Sequence, residues 1–324
     1  MNCAIALDAE MLGKMATVLG RRADAAEFAG LAAQSRALIG EKLWDADRGL
    51  FANRQRGGGF VRSVSPTSFY PLLCGAANPE QVGLLTSHLQ NHATFGGDWV
   101  LPNATRDDPA FPDNTYWHGR IWPNVNYLVW LGLRRNGLLA EASRLARQSF
   151  DMFMKSWAKD RIAAENYNAM TGEAMDQGDT DPFYIWSALL PLMALGEIVD
   201  FDPWRGLTLC NAGQDVALGP IVSPMGGLSV SASDGAMSVA LDGELALSFD
   251  FAGTLSGVEF RKAGFRAKVQ TGDAGGRLAL HGVTTTAYLT ARLDGKTIRG
   301  EASGGALEFD IPQLDSPVLL NVVF

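Results

Sequence analysis

The hydrophobic period of this 324-residue chain changes once, near residue 201, and that change excludes a single repeating architecture. Up to that point apolar residues recur at helical spacing. Ile5, Leu7, Met11, Met15, Val18 and Leu19 form one stripe, and Phe28, Leu31, Ala32, Ser35, Leu38, Ile39 and Leu43 form a second. Residues 79–91 and 138–157 read the same way. Residues 123–133 and 183–195 are apolar nearly all round, which predicts buried helices. Pro123 suits the first turn of its helix, whereas Pro191, inside an apolar run, is expected to kink it. The spacing gives about seven helices.

Beyond residue 202 apolar and small or polar residues alternate, as in Met237–Leu241, Leu245–Phe249 and Leu278–Leu280. Asp242-Gly243 and Asp294-Gly295 lie between such runs and predict tight hairpins. About eight short strands in a sandwich are expected there. The sequence therefore predicts a mainly α chain with a helical domain over residues 1–201 and a smaller all-β sandwich over 202–324. Phe201-Asp-Pro-Trp-Arg-Gly206 is the expected junction.

Composition removes several functional classes. There are 27 Lys and Arg against 35 Asp and Glu, a net charge of −8, so the basic footprint of a nucleic-acid binder is missing. No uncharged apolar run reaches the roughly 18–20 residues of a membrane helix, so no membrane partner is expected. Cys3, Cys74 and Cys210 are too few and too scattered for a disulfide framework or a zinc site, and four histidines do not suggest a metal centre. Neither metal nor cofactor is expected. The first residues lack the basic stretch of a signal peptide, which leaves the compartment open.

Three segments carry chemistry, in or beside the long connections 44–64 and 93–121, where ordered loops of a helical domain usually hold function. Asp113–Asn126 packs Tyr116, Trp117 and Trp122 beside Arg120, Asn124 and Asn126. Aromatic faces stack on the C–H faces of sugar rings, and amide, carboxylate and guanidinium groups bind the hydroxyls. Ala163–Glu173 holds Glu165, followed by Asn166, Tyr167, Asn168 and a Thr-Gly turn. A carboxylate there is either a capping group or one that polarises water. Asp179–Leu189 runs from an acidic loop into an aromatic helix start; Asp181 suits an N-cap, and Trp186 is either core or a stacking platform.

Tyr116-Trp-His-Gly-Arg-Ile-Trp-Pro-Asn-Val-Asn-Tyr-Leu128 resembles the Tyr-Trp-Arg-Gly-x-Ile-Trp-Pro-x-x-Asn-Tyr-Leu signature of glycoside hydrolase family 63 and the related trehalases. Glu165-Asn-Tyr-Asn with Thr171-Gly172 resembles the segment carrying the catalytic base in those families, and Trp186-Ser-Ala-Leu the Gly-Trp-Ser/Thr element after it. Leu43-Trp-Asp-Ala-Asp-Arg-Gly-Leu-Phe is similar to their Trp-x-x-x-x-Gly-x-Tyr/Phe turn, and Ala6-Leu-Asp-Ala-Glu-Met to their Val-Asp-Leu-Asn helix start. Within the family, these elements resemble those of the bacterial alpha-glucosidases and mannosylglycerate hydrolase-like enzymes.

The resemblance spans residues 5–200. It implies an (α/α)6 toroid with the site at one mouth, here a partial one, because about seven helices do not make the full ring. It also implies inversion at an alpha-linked glucoside or mannoside, with Glu165 as general base. Trp117, Trp122 and Trp186 would wall the sugar, and Tyr116, Arg120, Asn126 and Tyr167 would bind hydroxyls. His118 departs from the family's Arg, and a neutral imidazole lacks the guanidinium fork. The family's acid, an Asp in a Glu-Ser-Gly-x-Asp-like element, has no counterpart here, and Asp98, Asp108, Asp113 and Asp181 do not match its position.

The chain is thus expected to be the base-bearing, C-terminal portion of an inverting alpha-glycosidase acting on an oligosaccharide or small glycoside, inactive alone if the acid lies upstream. An incomplete toroid seam would favour association. The alternative is a sugar-binding remnant without turnover. An epimerase would need a pair of site histidines, and a phosphorylase an anion site in place of Glu165.

Overall fold

The computed structural model describes residues 1–178, 180–283 and 290–324. Its two compact units are Met1–Ala194 and Leu195–Phe324. The unit changes before residue 201 because Val199–Asp202 is a strand that pairs with Gly206–Asn211.

The first unit opens with a helical hairpin, α1 (Asn2–Val18) and α2 (Arg22–Lys42). A two-stranded ribbon follows, β1 (Trp44–Asp45) against β2 (Leu50–Phe51). Next come α3 (Tyr70–Cys74), α4 (Pro79–Ser87), α5 (Pro123–Arg135) and α6 (Leu139–Asp160). α4 starts on a capping box: Asn78 accepts from the Gln81 N–H while the Gln81 amide accepts from the Asn78 N–H. α5 buries Val125, Asn126, Val129, Trp130 and Leu133, and α6 buries a stripe from Ala142 to Ser156. These faces close the unit's core around Phe69, Leu72, Leu85 and Ile121.

α1 reverses the expected polarity of its stripe. It buries Cys3, Ala6, Ala9, Gly13 and Ala16 and leaves Ile5, Leu12, Met15, Val18 and Leu19 exposed. The small residues face inward because the helices approach closely: a Cβ added to Gly13 would lie 3.5 Å from the Ala29 nitrogen.

The run 183–195 is not one buried helix. Phe183 and Ile185 are 71% and 89% exposed, Ile185–Ala188 is a 3-10 turn, and α7 is only Leu189–Gly196. Pro191 falls in the first turn of α7, where its missing N–H has no helical partner to lose, so the expected kink has no cause.

Among the described residues, the second unit is a sandwich of two seven-stranded sheets with antiparallel neighbours. One sheet runs, in spatial order, Lys296–Ile298, Thr290–Leu293, Val318–Val323, Gly264–Thr271, Gly253–Arg261, Gly206–Asn211 and Val199–Asp202. The other runs Glu301–Ser303, Ala306–Ile311, Gly276–His281, Glu244–Phe249, Ala236–Leu241, Gly226–Ser233 and Val216–Ser223. Alternate residues such as Leu207, Leu209, Val230, Leu247, Phe265 and Phe309 fill the space between the sheets. Both expected hairpins form: Leu241 pairs with Glu244 and Leu293 with Lys296. The intervening Asp-Gly pairs both have positive φ, as a type I′ turn requires.

These sheets correct the expectation of a mainly α chain, a partial α/α toroid with a small β appendage. Helix accounts for 33% and strand for 30%. The expected eight strands were too few because several are very short, such as Lys296–Ile298 and Glu301–Ser303, and show no alternation of their own. Close backbone contact in these sheets makes some positions intolerant of any side chain. A Cβ on Gly264 would lie 2.2 Å from the Val322 carbonyl oxygen. Gly264→Ala is expected to cost about 1–3 kcal/mol, read as a lower calorimetric midpoint.

Candidate active site

The aromatic segment begins with a tight turn. The Thr115 N–H donates to the His118 carbonyl at 3.0 Å and the His118 N–H to the Thr115 carbonyl at 2.7 Å. Tyr116, at the turn, has φ +46°. Gly119 follows at φ +92°, and a Cβ there would lie 2.6 Å from the Phe111 carbonyl oxygen, so only glycine fits. The turn returns the chain so that Trp117 stacks on Trp122 at 3.5 Å between centroids, 6° from parallel. Tyr116 sets its edge to both indoles, and Trp186 meets Trp122 edge-on at 5.7 Å. Trp122 is buried, and its indole N–H donates to the Tyr116 carbonyl at 3.0 Å. Tyr116 and Trp117 keep 44% and 38% of their surface exposed.

Backbone pairing joins the three segments. Ile121 and Tyr167 exchange N–H to carbonyl bonds at 2.8 and 3.0 Å. The Glu165 N–H donates to the Asp181 carbonyl at 2.9 Å, and the Trp186 indole N–H donates to the Glu165 carbonyl at 2.7 Å. The Glu165 backbone is therefore held from both sides, and the residue is half-buried.

Arg120, Asn126, Tyr167 and Trp122 lie too deep for the direct sugar contact expected of them. Arg120 is fully buried. Its Nε donates to Asn166 Oδ1, and its Nη1 lies 2.9 Å from an Asp176 carboxylate oxygen. The other Asp176 oxygen accepts from the Asn168 amide. Asn126 clamps one residue of the long loop: Oδ1 accepts from the Leu101 N–H and Nδ2 donates to the Leu101 carbonyl, both at 3.0 Å. The Tyr167 hydroxyl bonds Ser187 Oγ at 2.6 Å, and burial pushes its ionisation above the usual tyrosine range, so it stays neutral. These side chains turn inward because apolar neighbours bury their surroundings, where polar groups need fixed partners.

Asp176 was missed by sequence reasoning. Its one signal is indirect: Arg120 sits in an apolar run and requires an acid, and residues 173–181 supply several. Within Asn166, Nδ2 is buried without a partner.

The other acids are placed variously. Asp113 lies 3.5 Å from His118, both exposed, and Asp181 accepts from the Phe183 N–H, closing a turn. Asp179 lies outside the described residues. Asp108 lines a cleft of about 550 Å³, together with Asn103, Thr67, Tyr70, Trp117 and His118. Glu165 is not on its wall. Among the described residues no group of three or more His, Cys, Asp or Glu could hold a metal ion, and no helix is long and apolar enough to cross a membrane.

Comparison with known proteins places this geometry in a family. Mannosylglycerate hydrolase MGH1 of Selaginella moellendorffii is 27% identical over 198 residues, which are 59% of this chain and 37% of that protein. A GH63 mannosylglycerate hydrolase of Thermus thermophilus, solved in complex with glucose, matches 60% of this chain and 46% of its own at a TM-score of 0.52 and 25% identity. A sialidase structure shares the fold over 95% of this chain and 26% of its own, at a TM-score of 0.54 and 14% identity. The chain spans less than half the length of each of these proteins. Residues 1–187 match the mannosylglycerate hydrolase MGH1-like glycoside hydrolase domain, and the chain belongs to that family.

Proposed function

We propose that this chain serves the inverting hydrolysis of an alpha-linked glucoside or mannoside, with Glu165 as the general base that activates water. The observation that carries the reading is the double backbone anchorage of Glu165, beside the ring set Trp117, Trp122 and Trp186. A general base must be held within hydrogen-bond reach of the water it deprotonates, and a backbone fixed at both N–H and C=O meets that need. In this reading Tyr116, Trp117 and Trp186 meet the sugar. Trp122, Arg120, Asn126 and Tyr167 fix the shape of the wall from behind.

Inversion requires a second carboxyl group about 6.5–9.5 Å from the first, with water between sugar and base. The reading assigns that role to no residue of this chain. The relatives' names and bound ligands, glucose and D-glycerate among them, support a small glycoside as substrate.

The test is hydrolysis of alpha-linked glucosides and mannosides, mannosylglycerate included, by the unaltered chain and by Glu165→Gln, with the anomer first released followed by proton NMR. Release of the beta anomer is expected; release of the alpha anomer removes inversion. The second reading, sugar binding without turnover, is favoured by the cleft, which holds Trp117 but not Glu165. Saturable binding with no product, from a form that also carries the second carboxyl group, would establish it.

A further inference from the structure

We propose that Asp108 is the residue that grips the neutral glycosyl ring in the Trp117 cleft, its carboxylate accepting from sugar hydroxyls. This rests on the carbohydrate reading above and names a binding residue within it. Among the described residues lining that cleft Asp108 is the one acid, and none is a lysine or arginine. The rest of the wall supplies an aromatic face in Trp117, short hydroxyl side chains such as Ser65 and Thr67, and the Asn103 amide. That mixture suits a polyol.

The carboxylate is fixed before any ligand arrives. Asp108 is 8% exposed, and its Oδ1 accepts from the Ala110 N–H at 2.9 Å. Its own N–H donates to the Thr105 carbonyl and its carbonyl accepts from the Phe111 N–H, each at 2.9 Å. Among the described residues no other group bonds its carboxylate, so Oδ2 retains its acceptor capacity. Oδ2 is not among the buried side-chain atoms left without a partner, so solvent reaches it, and a ligand must offer donors that replace that water. Two neighbouring ring hydroxyls supply such donors, whereas an acidic group would meet like charge. Asp108 also borders a smaller cavity of about 280 Å³ with Arg62 and His88, whose side chains do not bond it.

The experiment is titration of the unaltered chain with methyl alpha-D-mannopyranoside, methyl alpha-D-glucopyranoside and D-glucuronate, read by tryptophan fluorescence and calorimetry. Asp108→Asn keeps an acceptor for the Ala110 N–H and removes the charge; Asp108→Ser does the same with a shorter chain if the amide variant fails to fold. Expected is saturable binding of a neutral glycoside in preference to D-glucuronate, weakened about tenfold or more in either folded variant, with the preference lost. Affinity within about twofold of the unaltered chain overturns the assignment, because a charge-assisted bond is worth more than that. So does failure of the unaltered chain to bind either glycoside; the Glu165→Gln comparison then decides the hydrolase reading separately.

Discussion

In an active form of the enzyme that carries both carboxyl groups, Glu165→Gln is expected to lower kcat for glycoside hydrolysis by about 10²–10⁴-fold, the usual contribution of a general base, with little change in KM. Gln has the shape of Glu and offers an amide where a proton acceptor stood. The two bonds that hold this residue, from its N–H to Asp181 and from Trp186 to its carbonyl, belong to the backbone and survive the change. The fold and the sugar wall should therefore persist, and the loss should fall on the step in which water is deprotonated. Steady-state kinetics on a single alpha-glycoside measures it. A kcat within about tenfold of the unaltered chain removes Glu165 from the role.

Asp176→Ala should have the largest effect on stability. It strands the Arg120 guanidinium, which has no access to solvent. Removing one partner of a fully buried pair costs about 3–5 kcal/mol. Asp176 is 27% exposed, so solvent relieves part of that, and about 3 kcal/mol is expected. For a unit of this size that corresponds to a fall in Tm of roughly 6–12 °C, measurable by calorimetry. The companion Arg120→Met/Asp176→Ala should recover much of the loss, because an apolar side chain leaves no charge in the interior. If the double variant melts no higher than Asp176→Ala, the cost lies in packing rather than in the stranded charge.

The legibility of the chain varied with the range of the interaction. The hairpins at Asp242-Gly243 and Asp294-Gly295 could be read because their cause is local: two residues whose turn needs positive φ. The aromatic group was legible for a similar reason, since Tyr116, Trp117 and Trp122 are close in sequence and one turn brings them together. Arg120 and Asn126 read as sugar ligands from that neighbourhood. Their real partners, Asp176 and the backbone of Leu101, lie 56 and 25 positions away, and nothing local announces them. α1 failed for another reason. Periodicity shows that a helix has an apolar stripe, but which face turns inward depends on how closely a second helix can approach, and there Ala6 and Gly13 prevailed over Ile5 and Leu12.

The anchoring of Asn166, Tyr167 and Asn168 has a consequence for changes in chain length. Asn166 and Asn168 both reach the Arg120–Asp176 pair, while Tyr167 between them goes to Ser187. A deletion or insertion of one residue beside them would present the phenol to the buried charge and an amide to the serine, so no single-residue indel keeps both sets of bonds. Insertion of two residues would restore the order of faces but shift the stretch by about 7 Å, away from the backbone partners of Glu165. This part of the chain can thus vary in composition at its exposed positions while its length stays constant.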